Sequence, residues 1–310
     1  MTVVRVRRQR ASQRHARLIP LLPPPSVIEL LGNPLAVVHP SSPESVSQQQ
    51  RLLIARKFNF SETVFVHDQE ESSHSELPFA GHPTIGAGCY LLSKTGRDKL
   101  TLRTKAGDVL VSSEDTGVRL KVPVDFKVHA PYLNDILKAK QPDLEDKDYV
   151  NGAKGAEPVV SIVKGMTFIM LELSSSEALG NLQPYSQWFS LPDEHLGDWK
   201  GAGGPAKLYA FVRMADGSIR TRMFKGSYED PATGLAACAL GGWLGQQIGD
   251  GNWSFKLVQG VEIGRRSEII VFATISDGRV VSIELAGNAV QVMEGKVQTQ
   301  QSEASVLKRP

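Results

Sequence analysis

Short β-rich runs separated by turn residues dominate the chain, with a few segments of helical spacing between them. Leu35–Val38 is a brief apolar run after Gly32-Asn33-Pro34, and Thr63–His67 reads as a strand. Between those two, Ser45 and Gln48 have the spacing of a capping box, and Leu52, Leu53, Ala55 and Phe58 recur at helical intervals. The stretch LTLRTKAGDVLVSSEDTGVRLKVP, residues 100–123, holds three β-rich runs split by two Gly-containing turns, a meander. PYLNDILKAKQPDLEDKDYV, residues 131–150, is polar and partly helical, and reads as a crossover. Strands resume at PVVSIVKGMTFIMLEL, and hairpins follow around Asp216-Gly217 and Asp277-Gly278.

Two segments rich in small residues punctuate this β pattern. GHPTIGAGCYLL begins at Gly81, and DPATGLAACALGGWLG begins at Asp230. Laid on each other at an offset of 149, Thr84 meets Thr233, Cys89 meets Cys238 and Leu91 meets Leu240. An offset near half the chain length predicts a structural pseudo-repeat, two similar units each aiming one helix at the middle.

Helix starts expose N–H groups without intrahelical partners at the positive end of the macrodipole. Glycine lets a ligand approach such a start, proline near the first turn costs no hydrogen bond, and Thr or Asp can cap. Both starts therefore suit the carboxylate of a small substrate, the alternative being two well-capped buried helices. Glu62 opens an apolar strand among Phe58, Phe60 and Phe65. A carboxyl group in such surroundings can exchange a proton near neutrality and is a candidate general acid/base, unless it is an exposed strand-end glutamate. His82, in the first glycine–proline loop, and Asp230, at the second, are candidate partners that could equally be a satisfied polar group and a helix cap.

Composition narrows the classes. The chain has 310 residues and a net charge of +2, but residues 1–18 carry six arginines and no acid, leaving the rest about −4. A mildly acidic body argues against a nucleic-acid partner. No run approaches the 18 apolar residues of a membrane span, and two cysteines make no disulfide framework, so a cytoplasmic location is expected. The arginine-rich start followed by Pro23-Pro24-Pro25 also resembles a mitochondrial transit peptide. No metal-ligand spacing, P-loop, dinucleotide fingerprint or nucleophile elbow occurs, so neither cofactor nor metal is expected.

GNPLAVV, IARKFNFSETVFV, LPFAGHPTIGAG, YEDPATGLAACAL and VQGVEIGRRSEIIV stand in the order and spacing of the phenazine-biosynthesis isomerase (PhzF-like) family, which residues 30–297 resemble. The resemblance implies an α+β, diaminopimelate-epimerase-like fold, each of two domains a curved, mostly antiparallel sheet around a central helix. The expected layout is an Arg/Pro-rich arm over 1–25, domains at 26–130 and 158–297, a crossover at 131–157 and a disordered tail over 298–310. It further implies a cofactor-independent isomerase moving a proton within a small carboxylate-bearing substrate. Glu62 would carry the proton, His82 and Asp230 would assist, and Gly81, Thr84, Thr233, Gly234 and Leu235 would bind substrate. A homodimer is a further expectation, and a non-catalytic small-acid-binding protein is the rival reading. Cys89 and Cys238 lie two turns into their helices, so a two-thiol epimerase is not expected. Three departures stand out: Leu235 where the family has Ser, Arg266 in GRRS where it has Pro, and prolines where it has its first strand. Either Val27–Leu31 makes a stub of that strand or Thr2–Val6 replaces it.

Overall fold

The computed structural model describes residues 2–6, 31–41, 45–67, 80–104, 107–185, 191, 193–200 and 205–297. Among them the fold is mixed α+β and dominated by one continuous, mostly antiparallel sheet. Its strands are β1 (Thr2–Val6), β2 (Leu35–Val38), β3 (Glu62–His67), β4 (Lys99–Thr104), β5 (Gly107–Glu114), β6 (Gly117–Lys121) and β7 (Lys127–Leu133), then β8 (Ala156–Val163), β9 (Met166–Glu172), β10 (Lys207–Arg213), β11 (Ile219–Lys225), β12 (Tyr228–Asp230), β13 (Gly251–Gln259), β14 (Ser267–Ser276) and β15 (Arg279–Gly287). The helices are α1 (Gln48–Phe58), α2 (Gly81–Thr95), α3 (Asn134–Ala139), α4 (Ser176–Asn181), α5 (Asp193–Leu196) and α6 (Gly234–Ile248).

The sheet runs β2-β3-β1-β4-β5-β6-β15-β14-β13-β11-β10-β9-β8-β7, with β12 attached to β11. The meander and both hairpins form as the turn residues predict. Strand β1 lies parallel to β3 and antiparallel to β4. Of the two alternatives for a first strand, Thr2–Val6 is the one that, among the described residues, joins the sheet. Its Thr-Val-Val-Arg-Val run carries the β-branched side chains that strands favour. The rest of that arm, the Val27–Leu31 stub up to residue 30 and the tail over 298–310 lie outside the described residues.

The small-residue segments are buried helices. Helix α6 is covered on nearly every side, with Leu235 through Gly242 all buried, as its apolar sequence requires of a central helix. Helix α2 is covered from Gly81 to Gly88 apart from His82. One core cluster unites both, drawing Val64 and Val66 from β3, Val111 from β5, Leu120 from β6, Leu257 from β13, and Val271 and Leu285 from the β14–β15 pair. A second cluster gathers α4, β9 and β10 around Leu171, Leu179, Leu182 and Phe224.

Two local expectations are corrected. The capping box belongs to Ser47 and Gln50, because the helix begins at Gln48. Its buried face is Arg51 and Ile54, while Leu52 and Leu53 point to solvent at 44% and 56% exposure. No helix among the described residues is long and apolar enough to cross a membrane.

Candidate active site

Helix α2 starts at Gly81 after an extended Ala80, and α6 starts at Gly234 after Thr233; neither N-cap residue makes a side-chain cap. The hydroxyls expected to cap are used otherwise. Thr84 donates to the Ala80 carbonyl at 2.6 Å, and Thr233 donates to Asp230 Oδ2 at 2.7 Å. The separation of Gly81 from Gly234 equals that of the closing residues Gly96 and Gly249, four positions more than the expected offset. The pseudo-repeat read at 149 is therefore one helical turn out of step with the helix boundaries.

The two starts meet head to head. A β-carbon on Gly81 would stand 2.9 Å from Gly234 Cα, and one on Gly234 would stand 3.1 Å from Gly81 Cα and 2.8 Å from Leu285 Cδ2. Only glycine lets the two main chains come this close. Two positive dipole ends, both without side-chain caps, thus converge on one point, an arrangement suited to an anion.

Asn33 ties the surrounding loops together. Its Nδ2 donates to Asp230 Oδ1 at 2.5 Å and to the Ala232 carbonyl at 3.1 Å, and lies 3.4 Å from His82 Nδ1. Ser61 donates to Asn33 Oδ1 and lies 2.9 Å from the Pro34 carbonyl and 3.3 Å from His82 Nε2. An amide nitrogen only donates, so His82 Nδ1 accepts from Asn33 and Nε2 carries the proton, directed to Ser61. On the far side Gln259 donates to the Asp230 carbonyl at 2.6 Å and to Thr233 Oγ1 at 3.0 Å, and its Oε1 accepts from the Thr233 N–H at 3.2 Å.

Burial sets the charge states. It pushes the His82 pKa down to about 3, so the ring is neutral at physiological pH. It pushes the Asp230 carboxyl up to about 6, against the donors Thr233, Ala232 N–H and Asn33 that favour the charged form. Asp230 is therefore a carboxyl that changes state close to neutrality.

Glu62 is the part-buried first residue of β3, immediately after Ser61. Side chains alternate along a strand. Glu62 accordingly shares a face with Val64 and Val66, which belong to the core around α2, whereas Phe65 packs on the other side with Val46 and Ile54. Its residue thus begins within one peptide unit of the Ser61–His82 contact, on the α2 side. Ser61 links this strand end to His82, and Asn33 links His82 to Asp230.

Of the remaining candidates, Gly81, Thr233 and Gly234 stand at the meeting of the helices. Thr84 is fully buried, with its hydroxyl spent on Ala80. Leu235 is 3% exposed and packs in the main core. A hollow of about 220 Å³ lined by Met214, Arg220, Lys256 and Arg266 contains none of the expected site residues. Asn33, Ser61 and Gln259 were not singled out by the sequence. Each lies in or beside a segment that carries the family resemblance, GNP, SET and VQG, which was the available signal.

A family model described as phenazine biosynthesis-like protein matches residues 29–295. An uncharacterized isomerase of Mesorhizobium japonicum is 31% identical over 86% of this chain and 94% of its own. The trans-2,3-dihydro-3-hydroxyanthranilate isomerase of Pseudomonas aeruginosa is 30% identical with the same coverage. Among solved structures, a PhzF-family protein of Bacillus anthracis superposes with a TM-score of 0.66 at 23% identity, covering 87% of this chain and 94% of the other.

Proposed function

The chain belongs to the phenazine biosynthesis-like family and is an isomerase, and on that premise we propose that it moves a proton within a small carboxylate-bearing substrate, with Glu62 as the acid/base. The observation that carries this reading is the single hydrogen-bonded chain Ser61–His82–Asn33–Asp230, which gathers the strand start bearing Glu62 and two uncapped helix starts.

In the proposed reaction the substrate carboxylate lies against the N–H groups of α2 and α6. Ionised Glu62 removes a proton from a substrate carbon; the C–H bond breaks and its electron pair enters the conjugated system ending at an oxygen. The protonated Glu62 then returns a proton to another carbon of the same system, restoring the enzyme. No redox change occurs, so no electron acceptor is required. Protonated Asp230 can offer a hydrogen bond to charge developing on oxygen, which catalyses most when the donor is already in place, while neutral His82 holds Ser61 and Asn33 on either side of its ring.

The substrate named for the Pseudomonas aeruginosa relative, trans-2,3-dihydro-3-hydroxyanthranilate, is the first compound to test. The protein is incubated with it, and with other small unsaturated acids, in heavy water. Deuterium should enter at carbon in step with isomer formation. Isomer without solvent deuterium in either product or recovered substrate would count against a proton shared with an exchangeable carboxyl.

A further inference from the structure

Strand β12 has three residues and, among the described residues, pairs with β11 alone, in the register Phe224↔Glu229 and Met223↔Asp230. Alternation gives this short ribbon two different faces. One carries Arg222, Phe224 and Glu229; Phe224 is buried in the second core with Leu179 and Leu182. The other carries Met223, which belongs to the main core, and Asp230. On the first face Arg222 forms a fork with Glu229, Nε to Oε1 at 2.9 Å and Nη2 to Oε2 at 2.8 Å, with side chains only 6% and 8% exposed. Its remaining nitrogen, Nη1, donates to the carbonyls of Leu179, Gly180 and Leu182 at 2.9, 3.0 and 2.9 Å, closing the end of α4.

We propose that Arg222 is a positioning residue: by clamping Glu229 to the end of α4 on one face of the ribbon, it fixes where Asp230 stands on the other. A buried ion pair is a poor source of net stability, because desolvation offsets its attraction, and apolar replacements of similar volume are often as stable. What a planar, doubly hydrogen-bonded fork supplies is geometry, which a lysine cannot reproduce. Asp230 needs that geometry, because its carboxyl meets Asn33, Thr233 and Ala232 at once.

The test compares wild type with R222K and with the double variant R222M/E229M, which removes both charges and keeps the volume. The first readout is the titration midpoint of Asp230, followed by carbon NMR on aspartate labelled at the carboxyl and assigned by its loss in D230N. The second is the rate of substrate-hydrogen exchange, split into kcat and KM, which rests on the isomerase reading. The double variant should fold, the midpoint should rise above about 6 as the carboxyl loses the donors that favour its charged form, and kcat should fall by roughly a hundredfold with little change in KM. R222K should lie between. A folded double variant with the wild-type midpoint overturns the proposal. Should that variant not fold, E229Q decides by the same measurements. If wild type exchanges no hydrogen, the isomerase reading fails separately, and the midpoint still decides the role of Arg222.

Discussion

Gly81 and Gly234 touch through their main chains, so that a methyl group added to Gly81 would lie 2.9 Å from Gly234 Cα. Main chain in two buried helices cannot give way as a flexible side-chain end can. Gly81→Ala should therefore destabilise the protein by about 1–3 kcal/mol, the usual penalty for overpacking. Gly180, in α4, has open space where its β-carbon would go. Gly180→Ala should instead be neutral or stabilising by up to about 1 kcal/mol. Paired thermal melts check the opposite signs, and equal effects would refute the close approach.

Asn33 donates to the Asp230 carboxylate and so favours its charged form. Asn33→Ala removes that donor, and the Asp230 midpoint should rise above its present value of about 6. In a pH–rate profile the limb belonging to Asp230 should move to higher pH. An unmoved limb in a folded variant would show that this amide does not set the Asp230 charge.

The two perturbed groups act on stability in opposite directions. Asp230 has a folded pKa of about 6 against an ordinary 3.8. Its contribution is complete below pH 3.8 and is lost as pH rises through 6, a change on the order of 3 kcal/mol. His82 is lowered from 6.5 to about 3, so its contribution is complete above pH 6.5 and is lost as pH falls toward 3. Asp230→Asn should flatten the decline in stability on raising pH from 4 to 7, and His82→Gln should lessen the loss on acidification. Denaturant midpoints across pH 3–8 test both.

Legibility of the fold in the sequence followed the range of the interactions. The Gly-Asp and Asp-Gly turns specify the meander and both hairpins, because a hairpin is written within a few residues. The parallel neighbours β1–β3, β2–β3, β9–β10 and β11–β13 carry no such local mark. The α1 cap was misplaced by two residues because Ser45 and Ser47 both precede a glutamine three positions on, and only the helix start decides between them. The site was legible only in part. Glycines and prolines announce the helix starts, whereas the Asn33–Asp230 bond joins residues separated by 197 positions through one ordinary amide. Nothing in the sequence singles out Arg222, and only its buried fork with Glu229 gives it a role.

Neither thiol meets the other at the helix starts. Cys238 is fully buried in α6, with its thiol pKa pushed up by desolvation, and Cys89 lies two turns into α2. Replacing both by alanine should leave kcat within about twofold of wild type, while the Cys238 cavity costs on the order of 1 kcal/mol. Abolished turnover in a folded double variant would instead indicate thiol chemistry.

The most direct measurement is the exchange of substrate carbon-bound hydrogen with solvent deuterium in Glu62→Gln. Glutamine keeps the shape of the side chain but cannot accept and return the proton. The account predicts loss of exchange by at least about a hundredfold, with binding of a competing carboxylate retained. Exchange at the wild-type rate in this variant would contradict the assignment of proton transfer to Glu62.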